Sequence, residues 1–560
     1  MIKIVYKQTD QRYIFLTGDT HEISELEKHL NKIPSYMYMP SFSGIPKPEV
    51  FLNRFTTKSG QTAWWCHSGL YREIQLWCEK NHINITGIDR SLKYTGFNMN
   101  YEDFVEYVDS WDLNIQLRDY QLKAAWLILK YKKSLSQLCT RSGKTAIGYV
   151  VFRTMLEKMG CKKVLMIVPS IQLVKQGVQD MSEYQEFFKT TQVWAKSEYC
   201  ASPNLIIGTF QSLVKRADQR DPKYDPHFFD GIDVVCCDEA HKLPCKSINT
   251  ILGRPFMKDV KLRFGFTGTL PEDNSIEWFS CQAMMGPQIQ DLRTMELVKE
   301  GFLVPPNITQ IRLGYSWKEV EKDIIKCGEY LCSSYKTDEK GNKILLPKEE
   351  REFTIREVKS LPMALREAKQ MYDSKEYALY LIELCRARGA NLLMLEQMLV
   401  HRSEKRIKEI ENLISNMTDG NCIVLAHHTE YIEYLIERLK SAFPDRKVLK
   451  ITGSVNLKKR QKVLDEMLEN NNVILVGSFG CISTGITFKN VNYAIFAQSF
   501  KSDITILQSI GRGLLPQPGK DAFYIYDIID DFPSHQILKQ GKSKVKSYEK
   551  QEFKWAVIDG

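Results

Sequence analysis

The segment Ser142-Gly143-Lys144-Thr145 has residue types suited to binding phosphate groups. It follows the apolar run Leu135 to Cys139 and precedes a helix predicted for Ala146 to Leu156, which is the order strand, loop, helix. A loop in that position can aim backbone N–H groups and a helix N-terminus at phosphate oxygens. Lys144 would place its charge on the β and γ phosphates of a nucleoside triphosphate, and the Thr145 hydroxyl would ligate Mg²⁺.

Two residues depart from the usual phosphate-binding pattern. Leu138 occupies the position of the first glycine in Gly-x-x-x-x-Gly-Lys-Thr, and Arg141 occupies a loop position at which glycine is common. The Arg141 side chain could either contact phosphate or strain the turn. An ordinary turn between a strand and a helix is therefore the alternative interpretation of this segment.

A second segment with suitable chemistry is Asp238-Glu239-Ala240-His241, which directly follows the apolar run Val234 to Cys237. Side chains at the carboxyl end of a strand in an open α/β sheet face the ligand crevice. Asp238 is then placed to hold Mg²⁺ through water, and Glu239 to orient and deprotonate the water that attacks the γ-phosphate. A helix N-cap is the alternative, which the full four-residue string disfavours.

Short apolar runs alternate with helical stretches in two parts of the chain, from about Leu117 to Val304 and from Cys422 to Ile529. This alternation is typical of a parallel sheet with crossover helices on both faces. The sequence therefore predicts an α/β protein with two such domains, at residues 111–313 and 421–533. The clearest predicted strands are Val164–Val168, Leu205–Ile207, Val234–Cys237, Arg263–Phe266, Cys422–Ala426, Val473–Val476 and Ala494–Ala497.

Three further regions lie outside these two domains. Residues 1–110 mix short strands with a helix near Tyr71 to Asn81, and they predict an N-terminal accessory α+β domain that is a candidate for DNA contact. Residues 314–420 predict a helical insert between the two domains, with a loop at Lys336 to Lys348. Residues 534–560 predict a basic tail on the surface, for which nucleic-acid contact is the alternative.

Composition limits the class of protein. The chain has 560 residues, of which 43% are hydrophobic and 26% charged, so it should fold into several globular domains. Its net charge of +9 is compatible with a polyanionic partner without requiring one. The start of the chain lacks a signal-peptide core, and the longest apolar runs are far shorter than the ~20 residues of a membrane span. The 14 cysteines lack paired zinc spacing, so we expect reduced thiols, no membrane and a cytoplasmic location.

In its two phosphate-site motifs the chain resembles superfamily 2 helicases and translocases of the DEAH-box type. Their Walker A and Walker B motifs look like Ser142 to Thr145 and Asp238 to His241. The resemblance implies two tandem RecA-like domains that bind ATP and Mg²⁺ and hydrolyse ATP, with Gln121 pairing with the adenine edge. The implied nucleotide-binding residues are Arg118, Gln121, Thr140, Arg141, Ser142, Gly143, Lys144, Thr145, Gly485 and Arg512, and the implied metal ligands are Thr145 and Asp238.

Other segments resemble motifs of this superfamily that contact the nucleic-acid backbone, among them Val168 to Ser170 and Gly208 to Leu213. Such contacts position a strand without reading its sequence. The implied contact residues are Pro169, Ser170, Thr209, Gln211, Ser212, Thr452, Gly453 and Thr484. Thr267-Gly268-Thr269 resembles the segment that couples the ATP site to the strand-binding face. The implied coupling residues are His241, Thr267 and Thr269.

The second predicted domain carries segments that resemble motif V, at Phe479 to Ile486, and motif VI, at Gln508 to Gly513. The resemblance implies that Arg512 is the arginine finger, which stabilises charge on the transferring phosphoryl group. A surface arginine after a glycine is the alternative. The family usually has a second arginine three residues after the first, and Leu515 stands there, which would weaken ATP turnover. The implied catalytic residues are Lys144, Asp238, Glu239, Gln508 and Arg512.

Within the superfamily the chain is similar to phage repair and recombination helicases of the UvsW type. The similarity rests on Met285 to Pro287, on Leu297 with Gly301 to Pro305, and on Asp527 to Asp531. It implies an ATP-dependent DNA helicase or translocase that acts on branched, duplex or single-stranded DNA without sequence preference, in replication, recombination or repair. A phage-encoded protein of this type would act in the host cytoplasm.

Two other functions stay open at this point. An RNA helicase would share the ATP chemistry and would reveal itself by a demand for the 2′-hydroxyl. A catalytically weak scaffold that only binds nucleic acid is less favoured, because the catalytic residues are all present. Trp64 and Trp65 could stack on bases at a junction, although a strand that buries one of the two rings is commoner. The sequence does not indicate protein partners.

Overall fold

A computed structural model of the chain describes all residues except 8–9, 35–46, 88–95, 195–201, 334, 338–342, 346–360, 388–390, 418–419, 454, 456, 483–487, 489 and 499–502. The described residues form two compact units, which we call the first unit and the second unit. The sequence boundary between them lies between Arg293 and Thr294.

The first unit begins with a five-stranded sheet, the N-terminal sheet, whose strand order is β3-β4-β2-β1-β5. Its strands are β1 (Ile2–Lys7), β2 (Asp10–Gly18), β3 (Asn53–Thr56), β4 (Thr62–His67) and β5 (Ile85–Thr86). The accompanying helices are α1 (Thr20–Leu30) and α2 (Tyr71–Lys80), and α3 (Tyr101–Asp109) follows the sheet. The predicted helix near Tyr71 is α2, and the mixed α and β content matches the expectation for this region.

A seven-stranded sheet in which every strand pair is parallel, the first parallel sheet, fills the rest of this unit, in the order β12-β6-β11-β10-β7-β9-β8. Its strands are β6 (Lys133–Leu138), β7 (Val164–Val168), β8 (Thr190–Val193), β9 (Leu205–Thr209), β10 (Val234–Asp238), β11 (Leu262–Thr267) and β12 (Gln288–Leu292). Its helices are α4 (Asp119–Lys130), α5 (Lys144–Lys158), α6 (Ile171–Tyr184), α7 (Phe210–Ala217), α8 (Lys246–Leu252) and α9 (Ile276–Met285).

The central strands of this sheet are buried on both faces, which explains why they are continuous apolar runs in the sequence. On β7, Leu165 and Ile167 join a core that the sheet shares with the N-terminal sheet. Val164, Met166 and Val168 point to the opposite face and join the core with α4 and α5. Alternate residues of one strand therefore serve two different cores.

The N-terminal sheet and its flanking residues pack against α9, and their apolar side chains share a core with the first parallel sheet. The Phe51 and Phe279 rings meet edge to face with their centroids 5.7 Å apart, and Gln282 donates a hydrogen bond to Glu73 at 2.8 Å. A Cβ atom at Gly69 would lie 2.0 Å from the carbonyl oxygen of Gln282, so only glycine fits there. The accessory domain is therefore part of one unit with the first predicted motor domain.

Two predictions for this region have clear outcomes. Trp64 is fully buried and its indole donates to Glu27 at 2.8 Å, whereas Trp65 is half-buried beside Tyr13, so the strand buries one of its two tryptophans. The predicted boundary at residue 110 is wrong, because Phe104 and Val108 of α3 lie in the core with α4 and α5. The apolar side chains of α3 pack against α4 and α5, which are helices of the first parallel sheet.

The second unit contains the second parallel sheet, seven strands in the order β17-β18-β16-β19-β20-β13-β21 with every pair parallel. Its strands are β13 (Pro306–Gly314), β16 (Asn421–Ala426), β17 (Lys447–Ile451), β18 (Val473–Ser478), β19 (Val491–Phe496), β20 (Phe523–Asp531) and β21 (Lys554–Asp559), and β14 (Tyr335–Thr337) pairs with β15 (Lys343–Leu345) outside it. The helices are α10 (Thr294–Lys299), α11 (Trp317–Ser333), α12 (Met363–Met371), α13 (Ser374–Ala387), α14 (Asn391–Val400), α15 (Glu404–Ser415), α16 (Thr429–Ala442), α17 (Leu457–Glu469), α18 (Phe479–Ile482), α19 (Asp503–Gly511) and α20 (Gln536–Lys550).

The two parallel sheets confirm the predicted α/β fold class, and all seven predicted strands exist with ends that differ by a few residues. The predicted end of the first motor domain at residue 313 is wrong, however. β13 belongs to the second parallel sheet, where it pairs with β20 from Pro306 opposite Phe523 to Gly314 opposite Asp531. The apolar pattern of β13 identifies a buried strand but carries no information about its partner.

The predicted surface tail is wrong as well, because residues 534–560 contain α20 and β21, and β21 pairs with β13. Lys544 is fully buried and donates to the Asp527 carboxylate at 2.5 Å, and Tyr548 donates to the same carboxylate at 3.1 Å. Glu396 on α14 accepts hydrogen bonds from the backbone N–H groups of Gln536 at 2.9 Å and Ile537 at 2.6 Å, which satisfies the first turn of α20.

The predicted insert is helical, and its helices share the apolar core of the second parallel sheet. The loop predicted at Lys336 to Lys348 is partly wrong, since Tyr335–Thr337 and Lys343–Leu345 form an antiparallel pair of strands. The residues between the two strands and after the second lie outside the described residues. No helix in the described part of the chain is long and apolar enough to cross a membrane.

Candidate nucleotide and nucleic-acid sites

The phosphate loop, residues Thr140 to Thr145, connects β6 to α5. Arg141 and Gly143 both have left-handed backbone conformations, with φ of +75° and +80°. A Cβ at Gly143 would lie 2.1 Å from the side-chain nitrogen of Gln121, so glycine is needed for both its conformation and its lack of a side chain. This backbone conformation is strained for a residue other than glycine. Arg141 therefore strains the turn, which is one of the two alternatives that the sequence left open.

Lys144 is the first residue of α5 and lies at the carboxyl end of β6. Its ammonium donates to the carbonyl oxygens of Leu138 at 3.2 Å and Cys139 at 3.3 Å. Its charge is near enough to Asp238 to oppose the rise in the pKa of that carboxyl. The two residues predicted to meet phosphate and metal therefore lie together.

The predicted adenine segment contacts the phosphate loop through side chains at the start of α4. The Tyr120 hydroxyl and the Gln121 amide each donate to the carbonyl oxygen of Ser142 at 3.0 Å. The Gln121 side-chain oxygen accepts from the backbone N–H of Arg118 at 2.9 Å. Sequence reasoning missed Tyr120. That Gln121 pairs with a base stays a prediction. Its side-chain amide is oriented by the hydrogen bond to Ser142 of the phosphate loop.

Asp238 ends β10 and Glu239 follows it with a left-handed φ of +54°. The backbone N–H of Glu239 donates to the Asp238 carboxylate at 3.0 Å. Burial, followed by the charge of Glu239, raises the pKa of Asp238 to about 6, although Lys144 opposes the shift. A carboxyl with a raised pKa at the end of a strand is typical of a site that a cation completes.

His241 connects the acidic string to the Thr-Gly-Thr segment. Its Nδ1 lies 3.0 Å from the Thr267 hydroxyl and 3.3 Å from the Glu239 carboxylate. The Thr267 hydroxyl donates to the carbonyl oxygen of Thr269 at 2.8 Å, so it accepts from the imidazole and Nδ1 carries the proton. The three predicted coupling residues thus form one hydrogen-bonded chain between the ends of the neighbouring strands β10 and β11.

The two predicted metal ligands have donor types that suit Mg²⁺, which prefers a few oxygen ligands together with water and phosphate. The described residues contain no group of three or more histidines, cysteines or carboxylates that could hold a metal ion. Sequence reasoning missed Asp180 on α6, whose carboxyl lies near the Thr145 hydroxyl, and that hydroxyl opposes the rise in its pKa. Burial and then the charge of Glu183 raise the pKa of Asp180 to about 6.

The predicted strand-contact residues of the first unit lie at the carboxyl ends of the adjacent strands β7 and β9, where Val168 pairs with Thr209. Ser170, which follows Pro169, caps α6 by accepting from the backbone N–H of Leu173 at 3.3 Å. Thr209 donates its hydroxyl hydrogen to Ser212 at 3.0 Å, and Gln211 is exposed. These residues form one polar edge of the sheet, as their positions in the sequence predict.

In the second unit, Thr452 and Gly453 follow β17. Arg460 on α17 donates to the carbonyl oxygens of Thr452 at 3.2 Å, Gly453 at 3.4 Å and Val455 at 2.8 Å, and so holds this loop. Sequence reasoning missed Arg460, and a lone arginine in a charged helix offers no signal that could have found it. The motif V residues Thr484 and Gly485 lie outside the described residues.

The motif VI segment lies at the end of α19. Gln508 is buried, and Arg512 is half-buried in the turn that follows. The backbone N–H of Arg512 donates to Ser509 at 3.3 Å, and a Cβ at Gly513 would lie 2.3 Å from the Phe523 ring. The turn that carries Arg512 is therefore tightly packed. Leu515, the position that lacks the family's second arginine, is half-buried.

Two protein families match parts of this chain. Residues 114–272 match the family described as "Type III restriction enzyme, res subunit". Residues 405–514 match the family described as "Helicase conserved C-terminal domain". The first match covers the phosphate loop and the acidic string, and the second covers the motif VI segment.

Several known proteins are similar to this chain along most of its length. The ATP-dependent DNA helicase UvsW of Enterobacteria phage T4 is 23% identical over 87% of this chain and 87% of its own. A putative ATP-dependent RNA helicase of Methanocaldococcus jannaschii is 24% identical over 74% of this chain and 58% of its own. The crystal structure of T4 UvsW aligns with 100% of this chain and 99% of its own at 19% identity, with a TM-score of 0.44. The DNA-bound Type ISP restriction-modification enzyme LlaBIII aligns with 87% of this chain and 34% of its own at 15% identity, with a TM-score of 0.52, and it shares the fold.

Tandem parallel sheets, the motif series and the two family matches together define the class, because they support a helicase of superfamily 2 that hydrolyses ATP. Within that superfamily it is similar to the phage UvsW helicase, which confirms the resemblance drawn from the sequence. The chain therefore couples ATP to work on a nucleic acid.

Proposed function

We propose that the chain is an ATP-dependent DNA helicase or translocase that acts on branched or duplex DNA during replication, recombination or repair. The observation that carries this proposal is the similarity to a DNA helicase over 87% of both chains. The RNA-helicase relative is matched over 58% of its own length.

Hydrolysis in this proposal uses residues of the phosphate loop and the acidic string. Lys144 binds the β and γ phosphates, while Thr145 and Asp238 hold Mg²⁺, which supplies charge neutralisation on the phosphates when bound. Glu239 accepts a proton from the attacking water as its oxygen bonds to the γ-phosphorus. The bond from that phosphorus to the bridging oxygen breaks, and ADP leaves with the electron pair.

The hydrogen-bonded chain from Glu239 through His241 to Thr267 supports a coupling role for these residues. A change in the position of Glu239 as the γ-phosphate leaves would alter the acceptor that His241 faces, and Thr267 and Thr269 would respond. Ser170 and Thr209 lie at the same edge of the first parallel sheet as these coupling residues. Movement of the coupling residues would therefore change how Ser170 and Thr209 contact backbone phosphates. Binding should therefore be independent of sequence and should weaken as salt rises.

Arg512 acts as the arginine finger in this proposal, and Gln508 orients the nucleotide beside it. The half-buried Leu515 supplies no second cation, so turnover should be slower than in relatives that have two arginines. In the extreme case the chain would hydrolyse no ATP and would only bind nucleic acid.

The test is ATP hydrolysis by the wild type and a Lys144→Ala variant with Mg²⁺ and single-stranded DNA, duplex, a four-way junction or matched RNA. We expect DNA to stimulate the wild type, most strongly as a junction, and the variant to lose about 10²–10³-fold in kcat. Lys123→Ala is the matched control, because Lys123 is exposed on α4 and its loss should leave hydrolysis unchanged.

An RNA helicase is the second candidate, since the archaeal relative carries that name. Stimulation by RNA alone, lost when deoxynucleotides replace ribonucleotides, would move the assignment to that candidate. Equal and negligible hydrolysis by the wild type and Lys144→Ala on every substrate would instead identify a scaffold.

A further inference from the structure

Lys520 is a buried lysine that none of the superfamily motifs includes. Its side chain is 9% exposed, and it lies in the segment between α19 and β20. Its ammonium donates to the carbonyl oxygen of Val491 at 2.5 Å and to the carbonyl oxygen of Gly513. Gly513 directly follows Arg512, so this lysine is bonded to the peptide next to the proposed arginine finger.

The partners of Lys520 are unusual for a buried cation. None of the ion pairs found among the described residues involves Lys520, and burial lowers the pKa of its ammonium to about 8. Burying an ammonium against neutral carbonyl groups is unfavourable compared with burying an apolar chain of similar length. Stability alone therefore gives a weak reason for a lysine at this position.

A few other neighbours also fix the position of the turn that contains Arg512 and Gly513. The Phe523 ring fills the space where Gly513 would carry a Cβ, and the Lys520 ammonium lies 5.3 Å from the centroid of that ring. The carbonyl oxygen of Leu514 accepts from the backbone N–H of Val304 at 2.9 Å. Lys520 thus connects the turn after α19 to the start of β19, while Leu514 connects it to the segment before β13.

We propose that Lys520 is a positioning residue for Arg512: its ammonium holds the Gly513 carbonyl and thereby fixes the orientation of the turn from which the arginine side chain projects. The inference rests on the proposed role of Arg512 in ATP hydrolysis. Small displacements of a catalytic group lower rates steeply, because transition-state contacts depend on geometry within about 1 Å. Ground-state binding of ATP depends less on this one side chain.

The test compares Lys520→Met, Arg512→Ala and the double variant in nucleic-acid-stimulated ATP hydrolysis. We expect Lys520→Met to lower kcat about tenfold, to change the KM for ATP less than about threefold, and to add no further loss to Arg512→Ala. Lys520→Gln keeps an N–H donor and should recover part of kcat. Lys544→Met is the matched control, since Lys544 is also buried in this unit but bonds Asp527, and its loss should lower the melting temperature and leave the kcat of folded protein unchanged.

Each result separates the inference from the proposed function. Wild-type kcat in folded Lys520→Met, or losses that multiply in the double variant, would overturn the inference and leave the arginine finger intact. Arg512→Ala with normal kcat would overturn the finger role, and the inference with it. Failure of both Lys520→Met and Lys520→Gln to fold would identify a structural lysine and would also contradict the inference.

Discussion

Charged side chains are buried in one region of the molecule and half-buried in another, and their partners differ. In the second unit, Arg406 and Asp530 are both fully buried and bonded to each other, and Arg406 also donates to the Ala497 carbonyl at 3.0 Å. At the phosphate site of the first unit, Lys144 donates to main-chain carbonyls, and Asp238 has a raised pKa. In these two regions, the charges with complete protein partners stabilise the fold, whereas the charges that protein atoms satisfy only in part mark the proposed ligand site.

The reason for the difference is the cost of removing a charge from water. A buried pair recovers that cost only when its geometry is good and the remaining hydrogen-bond positions are filled. Asp530 also accepts from the Tyr315 hydroxyl at 2.8 Å, and Asp527 accepts from Lys544, Tyr548 and Gln310. In the proposed function, phosphate and a cation compensate the unfavourable charges of the phosphate site when they bind.

The largest effect that this comparison predicts is on catalysis. Glu239→Gln should lower nucleic-acid-stimulated ATP hydrolysis about 10²–10⁴-fold, because the amide cannot accept a proton from water. The melting temperature should not fall, since the charge removed belongs to the ligand site. Glu272→Gln, an exposed control in the same unit, should leave both quantities unchanged. A variant that loses stability along with activity would contradict the distinction between the two regions.

The converse variant is Asp530→Asn in the second unit. It leaves the Arg406 charge buried without a counter-charge, so the free energy of unfolding should fall by about 3–5 kcal/mol. Urea unfolding followed by far-UV circular dichroism measures this. The double replacement Arg406→Met with Asp530→Asn should recover part of the loss, because neither charge then remains. Equal losses in the single and double variants would show that cavity or packing effects dominate.

Protonation offers a finer test at Asp238. Its folded pKa, about 6, lies above the ordinary aspartate value of 3.8, so the carboxyl opposes folding above about pH 6 and has no effect below about pH 4. Without nucleotide or Mg²⁺, Asp238→Asn should therefore raise the free energy of unfolding at pH 7.5 and leave it unchanged near pH 4. Urea unfolding at both pH values checks this, and a gain of equal size at the two would rule out the titration.

Another pH-dependent prediction concerns His401, which stacks on Tyr431 with ring centroids 4.7 Å apart in the second unit. Burial, followed by the charges of His428 and Arg406, lowers the pKa of His401 to about 3. The unfolded chain binds a proton below about pH 6.5 and the folded chain does not, so stability is lost as pH falls through that window. His401→Phe keeps a ring and should reduce the slope of unfolding free energy against pH by up to about 1.4 kcal/mol per unit between pH 6 and pH 4. An unchanged slope would mean that other groups set the acid sensitivity.

Local patterns were sufficient for much of the fold and for the elements of the site. Val164–Val168 is a strand with the predicted ends, and the helix after the phosphate loop starts at Lys144, two residues before the predicted start. These elements are continuous apolar runs or helices with a clear start, so neighbouring residues alone specify them. The prediction of a surface tail was wrong because it rested on the lysines of that segment. It overlooked Ile537, Leu538 and Tyr548, which are buried apolar residues at helical spacing.

The sequence by itself determined the chemistry of the phosphate loop and the acidic string and the order of strands that carry them. Only the tertiary structure decided that β13 pairs with β20, that Asp180 faces Thr145, and that Lys520 holds Gly513. The physical reason is that residue type and period set which face of an element is buried, whereas its partner depends on which other surfaces of the folded chain remain to be covered.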